Sequence, residues 1–192
     1  MTNPNFETGA IFSFDIRVNG KPLDQEWQLA RLDCHARLGE SSRLICEFAL
    51  TDLAGELKPD GGYYAFPIDQ PITAALGYDG RTEPVFSGAT TGLRFIRDQQ
   101  GPRFIVEATG MASEPPQELP DPKSWGMENV LSFDLRSPGP SGIINTLGNT
   151  VFAPGDRIEA GEMIKPWDDF LPVLAVHQSV TSGEWTTGLE IG

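Results

Sequence analysis

Basic residues are scarce in this chain. Its 192 residues include 14 lysines and arginines against 27 aspartates and glutamates, for a formal net charge of -13. Such an excess opposes attraction to phosphate backbones, so sequence-specific nucleic-acid binding is not expected. Long apolar runs are missing too. No stretch approaches the roughly 20 apolar residues that a membrane helix needs, and membrane insertion is not expected. The opening MTNPNFETGAIF lacks the charged-then-apolar order of a signal peptide. The chain is therefore expected to be made in the cytoplasm without one.

Cysteine and histidine are each limited to two. Cys34 and Cys46 lie in strand-like runs, RLDCHARL and RLICEFAL, and not in a CxxC pair. They read as small buried hydrophobes, with a disulfide between neighbouring strands as the alternative. Cys34 and His35 are adjacent and so point to opposite faces of a strand, which argues against their joining Cys46 and His177 around one zinc ion. No GxSxG elbow is present, and the glycine-rich DGGYY and SGATTG lack the lysine and following helix of a phosphate loop. Acid pairs occur at Asp168-Asp169, Glu159/Glu162 and Glu114/Glu118, but in so acidic a chain pairs arise by chance. Neither a catalytic centre nor a metal or cofactor is expected, with a small glycosidase or peptidase as the minor alternative.

What the chain does have is β patterning. Phe12, Phe14, Ile16 and Val18 alternate with Ser13, Asp15 and Arg17, and Asn19-Gly20 follows. That predicts a half-buried strand and a tight turn. Trp27 to Leu38 and Leu44 to Thr51 read as further strands. The latter has apolar residues on both faces, as in a strand covered on both sides. Residues 72 to 110 form a meander punctuated by Asp79-Gly80, Gly88, Gly92 and Gln100-Gly101-Pro102, with Gly88 and Gly92 read as turn positions. Tyr63, Tyr64 and Phe66 cluster in a polar connection, where with Trp125 they suggest a sugar-stacking platform as an alternative function.

Between residues 111 and 140 there are six prolines, and the stretch reads as an extended linker with an apolar island at Val130 to Leu135. Ser141 to Leu147 is a candidate short helix, with Ser141 as its cap and Gly148 as its stop. Val173 to Val180 and Trp185 to Ile191 then predict a closing hairpin. The expected fold is all-β in the main: an antiparallel β-barrel over residues 10–110, a proline-rich linker over 111–140 and a smaller β extension over 141–192. That extension either closes the barrel or forms a partial second one, and at most one or two short helices are expected.

Two stretches carry a resemblance. EPVFSGATTGLRF, after a strand ending in LGYDG, resembles the first barrel of the phage late-control gene D and VgrG-like tail hub proteins. PVLAVHQSVTSGEWTTGLEI resembles the closing hairpin of that family's hub region, and FDIRVNGKPL is in keeping with its opening strand. The matching positions are Phe86, Ser87, Gly88, Gly92 and Leu93, then Val176, His177, Gly183, Trp185 and Thr187; the resemblance makes them structural. It implies a shortened, hub-like protein of a phage tail or contractile injection system, with a barrel of tail-tube or hub type. Implied partners are further copies of the chain, as a homotrimer or hexameric ring around a channel, together with tail tube and spike or baseplate proteins. It also implies assembly into a virion tail or tail-like particle. A tail tube protein of the same machinery is the nearest alternative.

Overall fold

A computed structural model describes residues 11–23, 28–49, 67–99, 101–136, 141–159, 170–181 and 184–192. The strands are β1 (Phe12–Val18), β2 (Lys21–Pro22), β3 (Gln28–Arg37), β4 (Ser41–Ala49), β5 (Pro71–Tyr78), β6 (Arg81–Asp98), β7 (Gly101–Ala112), β8 (Lys123–Ser124), β9 (Val130–Arg136), β10 (Ser141–Leu147), β11 (Arg157–Glu159), β12 (Phe170–Thr181) and β13 (Glu184–Ile191). They form one sheet in the order β2-β1-β5-β6-β7-β4-β3-β12-β13-β10-β9, with β11 on β12 and β8 parallel to β11. Every other ladder is antiparallel. Among the described residues the only helical element is a single 3-10 turn, Met127–Asn129.

Local chemistry accounts for the turns. Asn19 and Gly20 have φ of 53° and 75°, and Asp79 and Gly80 have 52° and 75°. Two consecutive positive values match the type I′ hairpin turn that Asn-Gly and Asp-Gly favour. Asp79 Oδ1 also accepts the Ile11 amide at 2.9 Å, tying β1 to the turn of its neighbour.

The sheet wraps two hydrophobic cores. In the first lobe, Ile16 and Val18 of β1 meet Leu32, Cys34, Leu44, Cys46, Phe48, Ile72, Leu76, Phe86 and Phe104, with Val180 and Trp185 from the last two strands. In the second, Trp125, Ile144, Phe152, Ile158, Leu171, Val173, Val176, Leu189 and Ile191 pack together. Strands β12 and β13 therefore serve both cores. The apolar island at Val130 to Leu135 is β9, and Val130 packs on the second core.

Three expectations change. The sheet is not closed into a hydrogen-bonded barrel: β1 would have to reach β12, but both edges of β12 are already taken by β3 and β13. Contact across that gap is made by side chains, with the Trp185 ring centroid 5.9 Å from Phe12 and 5.1 Å from Tyr78. Ser141–Leu147 is a strand and not a helix. Gly142, Ile144 and Thr146 are buried and Ser141, Ile143 and Asn145 exposed, a period of two reinforced by three β-branched residues. Finally, Gly88 and Gly92 are not turns but lie inside the 18-residue β6. Gly88 stands opposite Gly110 on β7. A Cβ at Gly88 would run into the Thr109 carbonyl and come to 2.7 Å from Phe86 Cζ, so the glycine makes room for the neighbouring strand and ring. Gly92 marks a β-bulge in the same ladder.

Both cysteines are free and buried. Burial pushes the Cys34 thiol up to about 12 and the Cys46 thiol up as well. A maleimide probe should label neither thiol in the native protein and both in denaturant. The unfolded chain gives up its thiol protons first, so this contribution to stability is whole below about pH 9 and is lost as pH rises toward 12; urea midpoints measured across that range check the sign. Gly88→Ala should cost about 3 kcal/mol by overpacking, read as a lowered urea midpoint.

Candidate functional site

The hairpin β12–β13 positions most of the residues matched in the closing motif. Along it Val176, Gln178 and Val180 face inward beside Trp185, Thr187, Leu189 and Ile191. Between the apolar ends of this face lies a buried polar belt. Gln178 Oε1 accepts from Trp185 Nε1 and from Thr187 Oγ1, each at 2.7 Å, and Gln178 Nε2 donates to the Asn149 carbonyl at 2.8 Å. Thr187 Oγ1 in turn accepts the Asn149 amide at 2.9 Å. Asn149 Nδ2 donates to Thr146 Oγ1 at 2.8 Å and to the Leu147 carbonyl at 3.1 Å. The four polar residues Thr146, Asn149, Gln178 and Thr187 are all buried, and each finds partners, as buried polar groups must. Trp185 and Thr187 thus have structural jobs: one fills the seam of the first lobe, and both anchor Gln178.

The other side of the same strands is the outer face. His177 stands directly across from His35 on β3 and from Gly188 on β13. Their neighbours Ala175, Glu190, Ile143 and Asn145 complete the lining of a shallow depression of about 290 Å³. Ion pairs cover much of the surrounding face. Arg37 Nη1 lies 2.6 Å from Glu190, Arg103 Nη1 lies 2.6 Å from Glu47, and Arg31 pairs with Asp33. Donating to the Glu190 carboxylate raises the Arg37 pKa, and donating to Glu47 does the same for Arg103. Ile45, an outward residue of β4 between Arg43 and Glu47, is 38% exposed and sits across from Asp33 and Glu107.

Neither a serine nor a cysteine nucleophile is set up on this face. Asp33 Oδ1 accepts from Ser179 Oγ at 2.9 Å and lies 3.4 Å from His177 Nε2. The carboxylate therefore stands between serine and imidazole, whereas an activated serine must give its proton to the imidazole. Both thiols are buried and held protonated.

The first motif lies apart, on β6. Phe86 is in the first core, Ser87 is exposed, Gly88 faces Gly110, Gly92 is at the bulge and Leu93 packs against the core margin. The two motifs share that core, through Phe86 on one side and Trp185 on the other. Trp125 is 5% exposed and packs edge-on against Phe152, so it offers no face to a sugar. Gly183, Tyr63, Tyr64, Phe66, Glu162, Asp168 and Asp169 lie outside the described residues, while Glu114 and Glu118 are exposed.

No family model matches the sequence, and no curated protein matches it. Solved structures do match. A tail protein from Neisseria meningitidis MC58 aligns over 94% of this chain and 96% of its own, with a TM-score of 0.60 at 8% identity. The 43 kDa tail protein of prophage MuSo2 from Shewanella oneidensis aligns over 96% and 97%, at 0.64 and 7% identity. The E. coli c3393 protein, a type VI secretion component described as similar to the T4 tail proteins gp27 and gp5, aligns over 92% and 76%, at 0.61 and 10%. The chain has the fold of these tail proteins. Because the alignments cover nearly all of it, the likeness takes in both lobes.

Thr146, Asn149 and Gln178 were not singled out from sequence. Gln178 had a visible signal, as a polar residue on the inward register between Val176 and Val180. Asn149 had none. Removing the carboxamide with Gln178→Met should strand Trp185 Nε1, leave the Asn149 carbonyl with Thr187 Oγ1 alone, and cost about 2 to 4 kcal/mol in a urea titration, whereas Thr187→Val should cost about 1 to 3 kcal/mol.

Proposed function

We propose that the chain is a structural hub or tube-to-spike adaptor of a phage tail or contractile injection system, forming a ring around a central channel with further copies of itself. The observation that carries this reading is the fold likeness over more than nine-tenths of the chain to two tail proteins and a type VI secretion component. Its physical features are in keeping with such a role. Two cores share one continuous sheet, and ion pairs cross-link the outer face, Arg103–Glu47 between the neighbouring β7 and β4 and Arg37–Glu190 from β3 across β12 to β13. Of the matched motif positions, Phe86, Leu93, Val176 and Trp185 pack in or against the cores and Thr187 is buried beside them. Tail tube and spike or baseplate proteins are the expected neighbours, and a virion tail or tail-like particle the expected destination. The place of a tube subunit in the same machinery is the alternative on the same fold.

The ring is tested by multi-angle light scattering of the purified chain, alone and with tube and spike proteins encoded beside it. Three or six copies per particle, or a defined complex with either partner, is the expected outcome. A monomer at high concentration that binds neither protein would sink the proposal.

A further inference from the structure

The chain has two histidines in 192 residues, and folding sets them side by side. His35 on β3 and His177 on β12 are direct cross-strand partners, with ring centroids 6.1 Å apart. The geometry points to a site for one divalent transition-metal ion of the imidazole-preferring class, zinc, nickel or copper(II), held across the β3–β12 ladder by these two rings.

Directly opposed side chains on antiparallel strands have Cβ atoms about 4.5 to 5.5 Å apart. A modest ring rotation then lets one nitrogen from each histidine reach an ion at about 2.0 to 2.1 Å. His177 is free to make that rotation, since its side chain is 49% exposed. Asp33 supplies the outer support that imidazole ligands commonly have. Its Oδ1 lies 3.4 Å from His177 Nε2, leaving Nδ1 for the ion, and the carboxylate is itself fixed by Ser179 Oγ at 2.9 Å and by Arg31. Room for the remaining coordination comes from Gly188. A Cβ there would sit 3.3 Å from Asn145 Oδ1 and 3.7 Å from His177 Cβ, so the missing side chain opens the 290 Å³ depression beside the rings. Metal-bound waters in it would find acceptors in Asn145 and Glu190, which line its wall.

Among the described residues no three His, Cys, Asp or Glu groups converge on one position. The site therefore offers two protein ligands, with water completing the shell, and suits an exchangeable ion more than a permanent structural one. Magnesium and calcium, which prefer oxygen, are excluded by the same ligand set. An ion here would span the ladder that joins the first-lobe strands to the hairpin shared by both cores, and by binding only the folded arrangement it would raise stability. This inference does not depend on the ring reading.

The test uses the full chain without a histidine tag, stripped with chelator. Titration calorimetry with zinc, nickel and copper(II) chlorides should give one ion per chain and a raised melting temperature, with no response to magnesium chloride. His35→Ala and His177→Ala should each weaken binding at least about tenfold, and Asp33→Asn about tenfold. Copper(II) electron paramagnetic resonance should show two equatorial imidazole nitrogens, one after either histidine is removed. Because both histidines lie on the outer face, these variants should keep the parent's metal-free melting temperature; His35→Gln and His177→Gln provide a second pair of a more similar size. Absence of saturable binding at millimolar metal, or binding unchanged in the double histidine variant, overturns the inference.

Discussion

The fold turns on one buried carboxamide. Gln178 lies on the hairpin that serves both cores, and it bonds at once to Trp185 and Thr187 on β13 and to Asn149 in the connection after β10. Apolar contacts alone tolerate sliding, because dispersion and area burial have little directional preference. A buried carboxamide does not, since each unmade bond costs the desolvation of a polar group. The belt therefore fixes the height at which β13, β10 and β12 stand relative to one another. It also holds the Trp185 ring where it closes the side-chain seam with Phe12 and Tyr78. A polar cluster in the second half of the chain thus determines how the first lobe is shut.

Elements with strong local chemistry were legible in the sequence. Asn19-Gly20 and Asp79-Gly80 specify their turns within two residues, and the alternation in Phe12 to Val18 and Trp185 to Ile191 gives the inward face directly. What depended on neighbours was not. Gly88 has the composition of a turn, and only the close approach of Thr109 and the Phe86 ring explains it as part of a long strand. Ser141 to Gly148 carries plausible helix caps, but the demand for a partner beside β13 overrides them. The open sheet was equally hidden, because β1 finds no free edge on β12 only after β3 and β13 have taken both. Of the outer-face depression, His177 was visible within a motif. Its partner His35 lies more than a hundred residues away, and only the β3–β12 register brings the two together.

Identity of 7% to 10% beside TM-scores of 0.60 to 0.64 follows from the same physics. A sheet is held by backbone ladders that read no side-chain identity, while its cores ask only for apolar residues at alternate positions and a roughly conserved volume. Such constraints admit very many sequences. The positions with narrower requirements are few: a glycine where strands and a ring crowd together, a tryptophan at the seam, a hydroxyl that can give and take a hydrogen bond at Thr187. These are among the residues on which the resemblance to tail hub proteins rests, which is why two short motifs signalled a fold that no family model matches.

The distribution of polarity bears on how such a wall would meet its neighbours. On the outer face around β3, β4 and β7, Arg31 pairs with Asp33 along β3 and Arg103 with Glu47 across β7 and β4, and Ile45 sits between Asp33 and Glu107. Stripping water from that lattice would be costly, since burying ion pairs seldom repays their desolvation. Inward-register aromatics are exposed instead at the open margins. Phe14 on β1, opposite buried Leu76, is 43% exposed, and Phe133 on β9, opposite buried Ile144, is 50% exposed. Each is a core side chain that the sheet leaves uncovered where it ends. In a ring, contacts through these margins would bury apolar area that each lobe cannot bury by itself, while the charged outer face kept its water. The uncovered aromatics at the two sheet margins are therefore where association in the proposed ring would have most to gain.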